Sequence, residues 1–280
     1  MSNTPAKHTS DLIIKAQKGD IKAFHQIFST FQRQLKSYLY RLITDRNDVE
    51  DISQETFVKA FDKISTYKGK SNLKTWVFTI ATNLTRDLIR RRARWPSDAL
   101  DQACEAYKAS PETQEKYTMV AKHTPYNTFV IREHIDFCFT CLSKTLPIEQ
   151  QLALILKDVY DFKIKEIGQI LNRSVAVVKH LLHDARHSMV EIFDNRCALV
   201  KKTGTCHQCS ELNGIFNPQQ DARQALLEIE MVNAGHEKDH AELYKLRIQL
   251  VKSIDPLNAE GTNLHEFMMG NVRKLIAETE

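Results

Sequence analysis

Glycine and proline are scarce. The chain has 8 and 7 of them in 280 residues, which leaves little of the turn chemistry that strand-rich folds need. No run of 18 apolar residues occurs, so no membrane insertion is expected. The opening stretch MSNTPAKHTSDL lacks the apolar centre of a secretory signal, and the chain is therefore expected in the cytoplasm. In that compartment the six cysteines are expected to be reduced or metal-bound rather than a disulfide framework. No internal repeat and no low-complexity segment is present.

What is there describes an ordinary globular protein, 42% hydrophobic and 26% charged, long enough for two or three domains. Apolar residues recur at spacings of three and four. Leu12, Ile13, Ala16, Ala23, Phe24, Ile27, Phe28, Leu35, Tyr38 and Leu39 are one such series, broken by Gly19 and Asp20. This reads as an all-α chain. The net charge of +4 is unevenly placed: residues 1–209 hold 32 Lys/Arg and 23 Asp/Glu, residues 210–280 hold 7 and 12. A basic body suits nucleic acid. The acidic tail fits either a solvated helical surface or a cover for that body.

The most informative stretch is residues 48–95. DVEDISQETFVKAFDKI reads as an acidic amphipathic helix starting at Asp48, with Asp48, Asp51 and Glu55 away from its apolar side. STYKGKSN reads as a loop. LKTWVFTIATN opens a second helix that runs into RDLIRRRARW and is expected to end at Pro96. Five arginines fall in the nine residues 86–94, which packing alone explains poorly. Acid, aromatic and base in that order suggest surfaces for a protein, for unstacked bases and for phosphates.

Residues 96–128 read as a polar linker, open to partial helix, with Pro111 and Pro125 inside. A second helical unit spans 129–195. Its segments are a helix with Ile131, Ile135, Phe139 and Leu142, then EQQLALILKDVY after Pro147, DFKIKEIGQIL, a short NRS turn, and VAVVKHLLHDARHSMVEIF. Helix, short turn, helix is a helix-turn-helix pattern. Ser174 is placed to cap the second helix. Lys179, His183 and Arg186 fall near one of its faces.

These residues together resemble a known family. Residues 11–95 resemble region 2 of sigma-70-type initiation factors, and 129–195 resemble region 4. The absence of a central region matches the extracytoplasmic-function group. The resemblance implies two helical modules that bind core RNA polymerase and promoter DNA, with an anti-sigma factor as a further partner. It implies no catalytic residue and requires no cofactor. By the resemblance, Asp48, Asp51, Gln54 and Glu55 would meet the polymerase. The loop 65–72, with Tyr67, Lys70, Asn72, Lys74 and Trp76, would capture a flipped base. Trp76 fits that role and a core position equally. Asn83, Arg86, Asp87, Arg90, Arg91 and Arg94 would lie beside the −10 element. Ser174, Val175, Lys179, His183 and Arg186 would read or clamp the −35 element. Asp184 departs from the arginine-richer pattern of that helix. A helix-turn-helix regulator acting without polymerase stays open as the alternative, although it has no use for the acid–aromatic–base order.

Residues 196–280 form an extension expected to be helical and regulatory. Cys206 and Cys209 make a CxxC loop, a good half-site for zinc or a reversible disulfide. Cys197 and His207 are local candidates to complete it. Cys138 and Cys141, one turn apart, are a second pair; with the CxxC loop they would make a four-cysteine site tying the tail to the second module, but they fit buried apolar positions better. His236-Glu-Lys-Asp-His240 matches the HExxH pattern of zinc peptidases. Its flanks read instead as an ordinary amphipathic helix with two exposed histidines.

Overall fold

The computed structural model describes residues 4–92, 95–96, 98–122, 130–200, 204–216, 229–233, 238–259 and 262–278. Among them no strand is formed beyond one isolated bridge, Cys197 to Cys206. No helix there is long and apolar enough to cross a membrane.

The first bundle contains α1 (Thr4–Gln17), α2 (Ile21–Ile43), α3 (Arg46–Lys63) and α4 (Leu73–Arg90). Each break has a local cause. Gly19, at φ +94°, turns the chain after α1, and Asp20 then caps α2 by accepting from the Ala23 amide. Thr44 ends α2 in the left-handed region. Asp45 caps α3 by accepting from the amides of Asn47 and Asp48. The acidic helix therefore begins at Arg46 rather than Asp48, because Asp45 supplies the better cap. Asn72 caps α4 through Thr75 N at 2.7 Å. Each such cap is worth about 1 kcal/mol. Phe24, Phe28, Tyr38, Leu39, Val49, Ala60, Val77 and Phe78 bury into the common core, where Phe57 meets Phe24 and Phe28 with ring centroids 5.2 and 5.1 Å apart.

The basic helix does not reach Pro96. It ends at Arg90, and Arg91 and Arg92 close it with tight turns onto Leu88 and Ile89. Trp95 then buries in a second core. The expected linker is mostly helical: α5 (Ala99–Ala109) and α6 (Pro111–Lys122).

The second bundle holds α7 (Ile131–Ser143), α8 (Ile148–Leu154) with a π turn over Ile155–Val159, α9 (Ile164–Leu171) and α10 (Val175–Arg196). The turn between α9 and α10 is tight. A Cβ on Gly168 would stand 2.8 Å from the Arg173 carbonyl oxygen, and Asn172 takes φ 53°. Its core is continuous with that of the first bundle; Phe78 meets Phe162 with centroids 4.9 Å apart.

The extension supplies α11 (Gln208–Phe216), α12 (Glu230–Asn233), α13 (His240–Lys252) and α14 (Thr262–Glu278). It packs back on the body. Leu212, Leu243, Leu250, Leu264, Met268 and Met269 share the second core with Trp95, Ile135 and Phe137. Arg33 pairs with Asp255, Arg46 with Glu266, and Arg273 with Asp45. Charged groups of the tail thus meet opposite charges of the body, alongside a larger apolar contact. At the seam, Lys144 Nζ donates to the Leu42 carbonyl at 2.7 Å and lies 5.0 Å from the Trp95 ring centroid. Burial pushes this ammonium down to about 7.

Candidate nucleic-acid interface

On α3, apolar residues at helical spacing turn Val49, Ile52 and Ala60 inward. Asp51, Gln54 and Glu55 are consequently exposed. Glu55 pairs only with Lys59, one turn on, at 2.7 Å among the ion pairs of the described residues. Gln54 donates to Glu50 at 3.3 Å. Asp48 behaves differently: it is half-buried and pairs with Arg92 at 2.7 Å. Nothing in the arginine run by itself distinguishes Arg92, yet it ties the acidic helix to the basic end of α4.

The loop from 65 to 72 is braced from within. Tyr67 Oη donates to the Ser71 carbonyl at 2.5 Å, and Gln17 Nε2 donates to the Tyr67 carbonyl at 2.9 Å. Gly69 takes φ +68°, which lets the loop reverse. The Tyr67 and Trp76 rings pack with centroids 5.4 Å apart. Both are half-buried, so Trp76 braces this pair at the rim of the core rather than inside it. Lys70 is exposed. Lys74 lies over Phe162 at 4.9 Å and Phe78 at 5.8 Å, and burial lowers its pKa.

Along the end of α4, Asn83, Asp87, Arg90 and Arg91 are exposed. Arg90 stands 4.0 Å from Asp87, and Arg91 Nε donates to the Asp87 carbonyl. Arg86 is turned inward instead. Its Nε lies 3.3 Å from Glu149 of α8, which Arg173 also approaches at 3.7 Å. Arg94 lies outside the described residues.

In the helix-turn-helix, Ser174 accepts from the Val177 amide at 3.3 Å and caps α10. Val175, Val177, Lys179, His180 and His183 are exposed on its early turns. His183 Nδ1 is 3.2 Å from Asp184, so the departing aspartate stands beside a histidine. Arg186 is held in a bidentate contact by Asp158, at 2.9 and 2.5 Å, and this hydrogen bonding raises its pKa. Tyr244 of the extension donates to the same carboxylate at 3.2 Å.

The two modules also touch through their candidate DNA-facing residues. Asn72 Nδ2 donates to Glu166 Oε1 of α9 at 2.7 Å, and Thr75 Oγ1 reaches the same oxygen at 3.3 Å. Glu149 and Glu166 therefore occupy Arg86 and Asn72. No local pattern marks either glutamate, because each acts on a residue from the other module.

The cysteines divide in an unexpected way. Cys138, Cys197, Cys206 and Cys209 line one cavity, together with His207. Cys141 faces elsewhere and donates to Met269 Sδ at 3.7 Å. Among the described residues no group of three or more His, Cys, Asp or Glu stands ready to hold a metal ion. His240 pairs with Asp194, and His236 lies outside the described residues.

Comparison with known proteins bears on this geometry directly. Residues 27–94 match the Sigma-70 region 2 family, and residues 136–189 match Sigma-70, region 4. The chain is 28% identical over 182 residues to the ECF RNA polymerase sigma-E factor of Haemophilus influenzae, covering 64% of this chain and 92% of that one. It is 29% identical over 179 residues to the ECF RNA polymerase sigma factor SigW of Bacillus subtilis, covering 63% and 92%. Among solved structures it is similar to the sigma factor RpoE in complex with the anti-sigma factor NepR from Bartonella quintana, with a TM-score of 0.44, 24% identity, and 62% and 98% of the two chains covered. Two matched regions in this order, on an all-helical chain with near full-length sigma-factor relatives, place the protein in the extracytoplasmic-function group of the sigma-70 family.

Proposed function

We infer that this protein binds core RNA polymerase and directs promoter-specific transcription initiation. The observation that carries the reading is the α3–α4 hairpin. One helix presents exposed carboxylates, the next ends in exposed arginines, and a braced aromatic loop lies between them, all on the same chain as a helix-turn-helix. Asp51, Gln54 and Glu55 would meet a basic surface of the polymerase, where complementary charge guides docking. Asp48 would join them once released from Arg92. Tyr67 and Trp76 would offset the cost of unstacking a base. Asn83, Arg86, Arg90 and Arg91 would take phosphates and base edges of the −10 element. Lys179 and His183 would face the −35 element, with Ser174 and Val175 at the entering end of the helix.

The protein acts by binding and carries no catalytic step of its own. Its place is the cytoplasm, with the polymerase. The exposed carboxylates of α3 and the exposed face of α10 are also surfaces that an anti-sigma factor would cover.

Run-off transcription with purified core polymerase on a pool of promoter fragments tests the reading. Discrete start sites that depend on this protein are expected. DNA binding without transcripts, from the full chain and from a chain lacking residues 210–280 alike, would assign it instead to helix-turn-helix regulators that work without polymerase.

A further inference from the structure

A wide cleft opens where the two modules and the extension meet. Its volume is about 800 Å³, within the range of roughly 300–1,000 Å³ over which proteins bind small molecules. Its walls come from the end of α4, the turn between α7 and α8, and the last turns of α14. Five cationic side chains line it: Arg90, Arg91, Arg92, Lys144 and Arg273. The three from α4 and its end are exposed, whereas Lys144 and Arg273 are half-buried. Among the described residues that line the cleft, Asp45 is the only carboxylate. It is already engaged, capping α3 and pairing with Arg273 at 3.2 Å. Asp48 and Asp87, which approach Arg92 at 2.7 Å and Arg90 at 4.0 Å, still leave cations in excess.

Lys144 shows that excess most clearly. Among the described residues it forms no ion pair, and its Nζ donates to the Leu42 carbonyl. Burial pushes its pKa down, and Arg273 and Arg92 add to the fall. These cations therefore lie close enough to repel one another, a cost that an anion beside them would relieve. The remaining lining is apolar except for Gln151, and includes Leu88, Ile89, Trp95, Leu146, Ile148 and Ile276. A small hydrated anion would answer the charge and leave that surface wet. A neutral hydrocarbon would cover the surface and leave the charge. A duplex backbone has no apolar group to offer. Lys144 and Arg273, moreover, have no place in the polymerase and promoter surfaces described above.

We propose that this cleft binds a single-chain amphiphile with an anionic head, of the long-chain acyl carboxylate class, its head at Lys144 and Arg273 and its chain along the apolar lining. The exposed arginines attract the anion from solution, and the half-buried pair holds it. Lys144 belongs to the region 4 module and Arg273 to the extension, so one ligand bridges the two.

Calorimetry on the full-length chain, titrated with tetradecanoate below its micelle concentration, tests the proposal. One molecule per chain is expected to bind. Tetradecanol and tetradecyltrimethylammonium should bind about tenfold more weakly or worse, because they lack the charge or reverse it. Decanoate should also bind about tenfold more weakly or worse, because it buries four fewer methylenes. The chain has two tryptophans, so Trp76→Phe leaves Trp95 as the only one, and its emission should change in step with binding. Lys144→Met and Arg273→Met should each weaken affinity about tenfold, as expected when a half-buried charge partner is lost. Lys274→Met, exposed and outside the cleft, should leave affinity unchanged. Should the cleft variants fail to fold, the head-group and chain-length series on the unaltered chain decide by themselves. Equal affinity for the alcohol overturns the proposal, as does displacement of tetradecanoate by inorganic phosphate. Binding to phosphatidylglycerol vesicles without binding to monomeric tetradecanoate also overturns it, and would place the basic surface against a membrane instead. None of these readouts depends on transcription, so failure here leaves the initiation reading standing.

Discussion

Arg41 and Asp136 form a buried ion pair between α2 of the region 2 module and α7 of the region 4 module. The same guanidinium donates to Thr140 Oγ1 at 3.2 Å and to the carbonyls of Val251 and Ile254 at 3.1 and 3.0 Å. One side chain thus joins both modules and the extension. Removing one partner of a buried pair leaves an uncompensated charge and costs about 3–5 kcal/mol. Arg41→Ala or Asp136→Ala should lower stability by that order in urea unfolding. The pair Arg41→Met with Asp136→Leu should lose far less. Equal losses from single and double replacement would show that packing, not charge, holds the seam.

Glu149 holds Arg86 and Arg173, so this arrangement keeps a candidate DNA-binding residue occupied. Glu149→Ala should raise promoter-DNA affinity severalfold, since an interaction of about 1 kcal/mol corresponds to a factor of about five. Electrophoretic mobility shift at fixed salt measures it. Unchanged or weaker binding by a folded variant would mean that Arg86 has no role on DNA.

Asp51 and Glu55 are exposed, so their replacement should leave the fold within about 0.5 kcal/mol. Asp51→Lys with Glu55→Lys should nonetheless weaken binding to core polymerase at least tenfold, read by surface plasmon resonance. Wild-type affinity would remove α3 from the polymerase interface.

Arg90 and Arg91 are exposed at the end of α4. If both neutralise phosphates, replacing them with alanine should reduce the slope of log affinity against log salt by about one per phosphate released. An unaltered slope with weaker binding would indicate that the two arginines meet bases instead.

His134 and His265 stack around Phe137 in the second core. Burial pushes them down to about 4 and about 3 from 6.5. The unfolded chain therefore takes up protons below pH 6.5 that the folded chain refuses. The stability these groups contribute is complete above pH 6.5 and is lost as pH falls towards 4, by about 2–3 kcal/mol per histidine at pH 4.5. His265→Phe keeps the ring packing and should flatten that part of the stability profile. A slope equal to wild type would place the acid sensitivity in the carboxylates.

Much of the architecture is legible in the chain alone. The three- and four-residue apolar spacing gives the helices, and Asp20 and Ser174 mark two of their starts, because a cap is decided by its next three residues. The order of acidic helix, aromatic loop and arginine run survives folding, with Asp51, Glu55, Arg90 and Arg91 left exposed, since charged groups stay in water unless paired. The end of α4 and the helices of the linker are not legible in the same way. Pro96 is a strong stop, but the turns at Arg91 and Arg92 come first, and α5 packs its apolar residues into the second core against α14, a partner far along the chain.

The sequence by itself determined most helices of the two modules, which of their faces are apolar, and where carboxylates and arginines gather, because those follow from neighbours within one or two turns. Only the tertiary structure decided that Arg41 meets Asp136, that Glu149 takes Arg86, and that Cys138, rather than Cys141, lines the cavity that Cys197, Cys206 and Cys209 also line. These pairings link residues far apart in the chain. No local period encodes them, and they are selected by which apolar faces must be buried against each other.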